Sequence, residues 1–299
     1  MILTDIFSLF GQIMADPDAD QFDNATRYIM FRTSYWRAFN KVKVMNRDFA
    51  VRFFQVAVPG DFIDQTLGLL TYELPPELET VIRVEKQGGT VGGTDGNPMI
   101  PIVTVNEKDY YYNVPSGLPS SREVVFFLGQ KLGIKNGIPG GTWRVFYVRR
   151  WPELHTGTAT AGGASTITFP VTPTIGTLIA QDDYYKDAII RITGGTGSGQ
   201  ERRITTYVAS TRIATVSVAW TTPPDVTSTY SLVPEFPENH HDILAYEMAK
   251  IGYQRRGNQA MLQVIAGELA EQYKDLASAM KVRQDQEPRP VIDIEEDYF

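Results

Sequence analysis

The strongest constraint on the fold is a long stretch of helical periodicity near the C-terminus, residues 237–282. Apolar residues recur there at steps of mostly three and four, so in the second half they share one stripe of a helix. Gly257 interrupts the pattern, and glycine takes the left-handed conformation that ends helices. The stretch therefore predicts two helices joined at residues 256–258. The stripe of the second helix contains Met261, Ile265, Leu269, Tyr273, Leu276 and Met280.

The last seventeen residues have a different pattern. Periodicity stops after Val282, and a charged, proline-containing segment leads to an apolar, aromatic and acidic end. This end has no remaining part of its own chain to fold with. We interpret residues 284–299 as an extended arm that docks on another subunit. Its candidate docking residues are Val291, Ile292, Ile294, Tyr298 and Phe299.

The sequence before the helical stretch falls into three segments of different composition. Residues 1–44 predict two helices separated by an aspartate-rich turn at residues 16–20. Residues 53–151 carry β-branched and aromatic residues between prolines and glycines, which predicts strands. In residues 142–151 one strand face is apolar and the other mixes arginine with apolar residues. Residues 155–234 are rich in Thr, Gly, Ala and Ser, with a turn about every ten residues.

These segments predict an α+β protein. Residues 1–154 and 235–283 form a helical bundle with a small antiparallel sheet. Residues 155–234 form an inserted all-β domain, a sandwich or a barrel. The arm, residues 284–299, completes the chain. At 299 residues, one or two domains are expected.

Composition excludes several classes of protein. The chain has no cysteine, so disulfide frameworks and thiolate metal sites are excluded. No apolar run approaches the roughly 20 residues that span a bilayer, and no signal-peptide pattern precedes the first helix. A net charge of −7 disfavours a broad nucleic-acid-binding face. We expect a soluble protein without membrane contact.

The motifs that could carry chemistry are incomplete. Asp16, Asp18 and Asp20 have the spacing of a calcium loop, but the required glycine and closing glutamate are missing. Residues 194–199 have the glycine spacing of a phosphate loop without its lysine. Three histidines and no cysteine leave few nucleophile–base pairs. We expect no enzymatic activity, cofactor or metal.

Several short segments of the sequence occur in the order found in one viral family. They are residues 2–7, which open the first helix, residues 72–84 with two prolines before Val81-Ile-Arg-Val84, residues 133–154, and the closing helical pair. In these segments the chain resembles the head-to-tail adaptor (connector) proteins of tailed bacteriophages, over about 200 of the 299 residues. Residues 183–204 and 219–225 are similar to a small β module of phage virion proteins. Simple adaptors lack such an insert.

The resemblance implies a structural virion protein of the phage neck. It implies a homo-oligomeric ring, with a dodecamer expected, between the portal protein and the tail or neck proteins at the tail vertex. The ring would be assembled in the host cytoplasm. It would line the channel through which genomic DNA passes, without sequence-specific DNA binding. The arm would dock on the portal or on a neighbouring subunit.

The resemblance also suggests roles for two sets of residues. The helix stripe that begins at Met261 is the candidate ring- or portal-facing surface. The insert would lie outside the ring and contact collar or fibre proteins. Its surface candidates are Tyr184, Tyr185 and Trp220.

An alternative hypothesis makes the chain a tail fibre or baseplate protein. In that case the insert would bind a receptor or a glycan, with the same three aromatic side chains stacking on sugar rings. Long C-terminal helices are unusual for a fibre tip, which favours the adaptor.

Overall fold

The structure is a computed structural model, and it confirms that the protein is α+β. By contacts the chain divides into a larger unit, Met1–Asn46 with Trp151–Phe299, and a smaller unit, Arg47–Arg150. The residues described are 1–16, 18–46, 51–57, 70–75, 77–86, 99–100, 102–103, 124–128, 131–135 and 142–284. The predicted docking residues of the arm, from Val291 to Phe299, lie outside this described part.

Four α-helices are present among the described residues of the larger unit. They are α1 (Leu3–Ile13), α2 (Asn24–Met45), α3 (Asp242–Arg256) and α4 (Gln259–Gln284). The Asp23 side chain caps α2 by accepting a hydrogen bond from the Thr26 N–H at 2.8 Å. Gly257 ends α3 with φ at +66°, so the predicted break between the last two helices is confirmed.

Helix α3 is the centre of the helical packing, since it contacts α1, α2 and α4. Its sequence has apolar residues on more than one side, and Ile243, Leu244 and Met248 are all fully buried. Gly252 gives α1 a close approach, because a Cβ there would lie 2.8 Å from the Met14 Cε. The helical core therefore joins the two ends of the sequence.

The smaller unit contains eight described strands in two four-stranded sheets. The first sheet has the order β1-β8-β3-β4 and the second has the order β2-β7-β6-β5. All pairs are antiparallel except β5 with β6. Buried Val84, Val125, Leu132, Ile134, Trp143 and Val145 form its core. The strands are β1 (Val51–Ala57), β2 (Leu70–Glu73), β3 (Leu78–Lys86), β4 (Met99–Ile100), β5 (Ile102–Val103), β6 (Val124–Leu128), β7 (Lys131–Lys135) and β8 (Thr142–Arg149).

The predicted insert forms one seven-stranded antiparallel sheet within the larger unit. Its strand order is β10-β11-β14-β13-β12-β15-β9. Inward and outward residues alternate along β14, as expected for a sheet with one buried face. The strands are β9 (Thr156–Thr158), β10 (Ala161–Gly163), β11 (Thr166–Thr168), β12 (Ile189–Gly194), β13 (Glu201–Val208), β14 (Ile213–Val216) and β15 (Thr229–Val233).

The insert begins and ends at one place on the helical core. Trp151, just before it, stacks on Phe236, just after it, with ring centroids 5.4 Å apart and planes 10° apart. The Trp151 ring also contacts Tyr35 and Phe39 of α2. All seven strands lie within the predicted range 155–234, and helices from both flanking segments pack together. The division of the chain into four domains remains a prediction.

Candidate functional site

The predicted ring- or portal-facing stripe of α4 is largely enclosed by its own chain. Ile265, Leu269, Tyr273, Leu276 and Met280 are buried, and Met261 is half-buried. Helix α4 packs on α3 and α2, so the stripe covers the nearest apolar surface, as amphipathic helices do. Of the six residues, Met261 alone keeps a substantial exposed fraction. A role of this stripe toward a partner remains a prediction.

A buried carboxylate holds α2, α3 and α4 together. Glu247 of α3 is 1% exposed. Its carboxylate lies 2.9 Å from the Lys41 Nζ and 4.0 Å from the Arg37 Nη1, and it accepts a 3.1 Å hydrogen bond from the Tyr273 hydroxyl. Burial, and then the charge of Glu247, raises the pKa of Tyr273. The cluster fixes three helices and opens no cleft in which a substrate could react.

The aspartate-rich turn is held by a second buried ion pair. Asp16 accepts hydrogen bonds from the backbone N–H groups of Gln21 and Phe22, and Arg27 lies 3.2 Å from its Oδ2. Burial opposes ionisation, but these donors outweigh it and lower the pKa of Asp16. Both carboxylate oxygens are thus engaged within the turn. Among the described residues no group of three or more His, Asp or Glu side chains could hold a metal ion.

An uncharged aromatic cluster forms the centre of the inserted sheet. His155 is completely buried. The centroid of its ring lies 4.9 Å from that of Phe169, 5.0 Å from that of Tyr185 and 5.5 Å from that of Tyr230. Burial lowers the pKa of His155 to about 3, so the ring is neutral at physiological pH. The Tyr230 hydroxyl lies 3.0 Å from its Nδ1. The histidine is therefore a core residue, closed to any external substrate.

Two of the three insert surface candidates are inside the protein, which corrects the prediction. Tyr185 is completely buried in the aromatic cluster, and its hydroxyl accepts a 2.8 Å hydrogen bond from the Ile179 N–H. Trp220 is 4% exposed, and the Arg202 guanidinium lies over its ring. Tyr184 is half-buried. The small sheet uses aromatic side chains as core beside its buried aliphatic residues, since aromatic side chains bury the most surface per residue.

An open groove of about 350 Å³ lies between the start of α2 and the loop after β11. Tyr28 and the 59%-exposed Ile29 form one wall, and residues 174–176 form the other. Gly176 has φ at +96°, and a Cβ there would lie 2.6 Å from the Leu154 carbonyl oxygen, so no other residue fits. The groove residues include no charged side chain, and sequence patterns gave no signal for it.

One sheet face of the smaller unit displays arginines on aromatic rings. Phe53 of β1, Phe146 of β8 and Arg83 of β3 are in register across the sheet. The centroids of the two phenylalanine rings lie 5.7 Å apart, and Phe53 is 53% exposed. The Arg83 guanidinium lies 4.4 Å above the Phe146 ring, and that of Arg144 lies 5.4 Å from the Phe53 ring. We call these four residues the arginine–phenylalanine face.

Among the described strands, the sheet that carries this face ends at β1. In the described strands β1 pairs with β8 and has no neighbour on its other side. An edge strand presents unpaired N–H and C=O groups to which another strand can add. Aromatic residues and arginine are also the side chains enriched in protein interfaces. Edge and face together therefore have features that protein interfaces share.

No protein-family model matches this chain, and no curated protein matches it either. In the part of the chain that the structure describes, no helix has the length and apolar character required to cross a membrane.

Proposed function

We propose that the chain is a head-to-tail adaptor of a tailed bacteriophage. It is a structural virion protein that forms a ring, with twelve copies expected, between the portal and the tail or neck proteins. The ring lines the DNA channel. The C-terminal arm docks on the portal or on a neighbouring subunit, and the inserted sheet lies on the outside.

The observation that carries this proposal is the single junction of the insert. Trp151 stacks on Phe236, and the Leu232 N–H donates a 3.0 Å hydrogen bond to the His155 carbonyl oxygen. The two flanking segments thus meet where the sheet begins and ends, as in domain insertions. Without the sheet, residues 1–154 and 235–283 would remain, which contain the helical core and the strands of residues 51–149. Those flanking segments are the ones in which the sequence resembles simple adaptors.

The charges of α2 support a channel protein that does not grip DNA. This helix has five basic residues and no acidic one. Arg27 is paired with Asp16, Arg32 lies 2.6 Å from Glu153, and Arg37 and Lys41 share Glu247. Phosphate binding requires clustered basic side chains that are available to DNA. Three carboxylates of the chain lie beside these four cations, and together with a net charge of −7 this favours passage over binding.

The rotational symmetry of the chain in phage particles tests the proposal. Antibody-labelled particles are imaged by electron microscopy, and the tail vertex is averaged. A twelvefold ring beneath the portal is the expected result. Threefold or sixfold density at the far end of the tail would replace the adaptor by the fibre or baseplate hypothesis. Deletion of residues 286–299 should leave a folded chain that no longer joins the portal or the ring.

A further inference from the structure

We propose that the groove at the start of α2 receives residues 291–294 of the C-terminal arm from another copy of the chain. The groove lies between Tyr28 and Ile29 on one side and residues 174–176 on the other. The inference rests on the docking role proposed for the arm. It adds the receiving surface, and it assigns the arm to a second copy rather than to the portal.

Both walls of the groove are held in place by the chain around them. The Tyr28 hydroxyl lies 3.3 Å from two acceptors, a Glu153 carboxylate oxygen and the Leu154 carbonyl oxygen. In the opposite wall, Ile175 and Thr156 exchange two backbone hydrogen bonds of 3.0 and 3.1 Å. A binding site with fixed walls lowers the ordering cost that an incoming segment must overcome.

The chemistry of the groove suits aliphatic side chains. Its described lining residues carry no charge, and Ile29 is 59% exposed there. The volume of about 350 Å³ lies within the range of sites that enclose ligands. Burial of exposed apolar surface such as that of Ile29 favours association. The expected occupant is therefore a short aliphatic segment.

The arm contains such a segment. The described residues cover the larger unit except position 17 and residues 285–299, so the arm is the one long segment of that unit outside the described part. Val291, Ile292 and Ile294 are aliphatic. Because side chains of an extended segment alternate, Ile292 and Ile294 would enter the groove together and Asp293 would face solvent.

The directions of the helices decide which copy supplies the arm. The Arg256 guanidinium, at the end of α3, lies 5.2 Å from the centroid of the Phe22 ring, just before α2. Gln272 of α4 donates a 3.2 Å hydrogen bond to Asp242 at the start of α3. Both α2 and α4 are therefore antiparallel to α3, and α4 runs in the same direction as α2. The arm leaves α4 at the end of the helical core that is opposite to the groove.

The distances exclude the groove of the same copy for Ile292. Tyr273 of α4 lies level with Lys41 of α2, whose Nζ is 3.6 Å from the centroid of the tyrosine ring. From this level, Tyr28 lies thirteen residues back along α2 and Gln284 lies eleven residues onward along α4. At 1.5 Å per residue the separation is about 36 Å. Ile292 follows Gln284 by eight residues, which span at most about 29 Å.

A contact between copies also fits the proposed ring. The donating arm and the receiving groove lie at opposite ends of the helical core, so the contact is head-to-tail. Head-to-tail contacts close into rings when the rotation between copies permits it. Each copy would then give one arm and receive one.

The absence of native cysteine permits a direct test by disulfide cross-linking in the full-length chain. Copies with Ala25→Cys, at an exposed residue of the groove, are assembled with copies that carry Val291→Cys, Asp293→Cys or Glu295→Cys. These arm variants retain Ile292 and Ile294. A disulfide requires Cα atoms about 4.4–6.8 Å apart. After mild oxidation we expect a covalent dimer for at least one of the three arm positions.

The matched control acceptor is Val44→Cys on the same helix. Val44 is 84% exposed and lies about 28 Å farther along α2, so it should give no dimer. No dimer with Ala25→Cys, or equal yields with both acceptors, overturns the proposal. Copies that carry both Ala25→Cys and Val291→Cys should form covalent oligomers whose yield rises with protein concentration. A disulfide within one chain would assign the arm to its own groove and would also overturn the proposal.

A substitution in the groove wall tests the apolar contact. Ile29→Asp in the Ala25→Cys copy removes aliphatic surface and places a like charge beside the acidic arm. Cross-linking should slow about tenfold, as expected for the lost burial of one aliphatic side chain. Val44→Asp in the same copy is the control and should leave the rate unchanged. An unchanged rate with Ile29→Asp would overturn the assignment to this groove.

The same samples separate this inference from the proposed function. Imaging of the mixtures shows whether rings form. Rings without cross-links at Ala25→Cys would contradict the groove contact and leave the adaptor standing. Cross-links in a sample whose particles lack the chain at the tail vertex would contradict the adaptor and leave the groove contact standing.

Discussion

The helical core and the inserted sheet of the larger unit bury polar groups by opposite means. The helical core buries charged groups beside a partner: Asp16 and Arg27 are both buried, and the buried Glu247 pairs with Lys41, whose side chain is 43% exposed. The sheet instead buries a neutral histidine inside a ring of aromatic side chains. A buried charge needs its partner, whereas a buried neutral imidazole needs only to remain unprotonated. The two regions should therefore fail under different conditions.

We expect the largest effect on the free energy of unfolding when the Arg27 side chain is removed from the helical core. Arg27→Met leaves the Asp16 carboxylate buried without its cation and the Phe22 and Phe7 carbonyls without a donor. We expect the free energy of unfolding to fall by about 3–5 kcal/mol, measured by urea denaturation. Arg32→Met removes a cation that is 58% exposed and should cost about 1 kcal/mol or less. Equal losses in the two variants would contradict the difference in burial.

Acid should unfold the inserted sheet first, because burial lowers the pKa of His155 with no hydrogen bond that opposes the shift. Burial also lowers the pKa of His241 at the start of α3, but its hydrogen bonds to the Phe236 and Met1 carbonyls oppose that shift. The folded pKa of His155 lies at about 3, below its unfolded value of about 6.5. Its stabilising contribution is complete above pH 6.5 and is lost as pH falls toward 3, with about 3 kcal/mol lost by pH 4. The pKa of Asp16 is lowered in the folded protein. Its contribution to stability is therefore complete above its unfolded pKa of about 3.9 and is lost only as the pH falls below that value.

Circular dichroism separates these two transitions. Near pH 4 the near-ultraviolet signal of the aromatic cluster should decrease while the helical far-ultraviolet signal remains. His155→Phe should flatten the stability profile between pH 6.5 and 4. The control His240→Phe, at a half-buried residue outside the cluster, should leave the slope unchanged. Coincident loss of both signals would mean that the regions unfold as one.

A smaller effect is expected at Glu247, where several donors share one carboxylate. Lys41→Met removes the closest cation but leaves the Tyr273 hydroxyl and Arg37 in place. We expect the free energy of unfolding to decrease by about 1–2 kcal/mol, measured by urea denaturation. Lys274→Met, on the exposed side of α4, is the control and should change it by less than about 0.5 kcal/mol. A larger loss in the control would show that the lysines stabilise α4 generally.

A comparably small effect should be the same in both regions. Gly257 ends α3 with φ at +66°, and Gly199 lies in the turn before β13 with φ at +84°; a Cβ at either would meet nothing within 4 Å. Each Gly→Ala substitution should therefore cost about 1–2 kcal/mol from backbone strain alone. Thermal unfolding of the two variants measures this. Clearly different losses of stability in the two variants would show that the two regions differ in how well the backbone accommodates a side chain at positive φ.

Local features of the fold could be predicted from the sequence. Periodicity and Gly257 placed the last two helices, and turn composition indicated that residues 155–234 form β-structure, although it gave no sign of the short strands β9 and β10. The alternation in residues 142–151 identified the mixed face of β8 that carries Arg144 and Phe146. These features depend on neighbours within a few residues, which the sequence displays directly.

The candidate site could be predicted only in part, because burial depends on distant residues. Lys41 and Glu247 are 206 positions apart, so no local pattern pairs them. Tyr185 and Trp220 look like exposed aromatic side chains until the sheet encloses them. The row formed by Phe53, Phe146 and Arg83 required the order of three strands, which alternation in a single strand cannot give.

The stacking of Trp151 on Phe236 has a consequence for how this protein could have originated. Because the sheet enters and leaves through one contact, a single recombination event could have added it to an ancestor without rerouting the rest of the chain. With the same geometry, we expect that residues 155–234 could be replaced by another domain. A reporter domain whose ends lie equally close could occupy that position, and it would mark the location of the chain in an assembled particle.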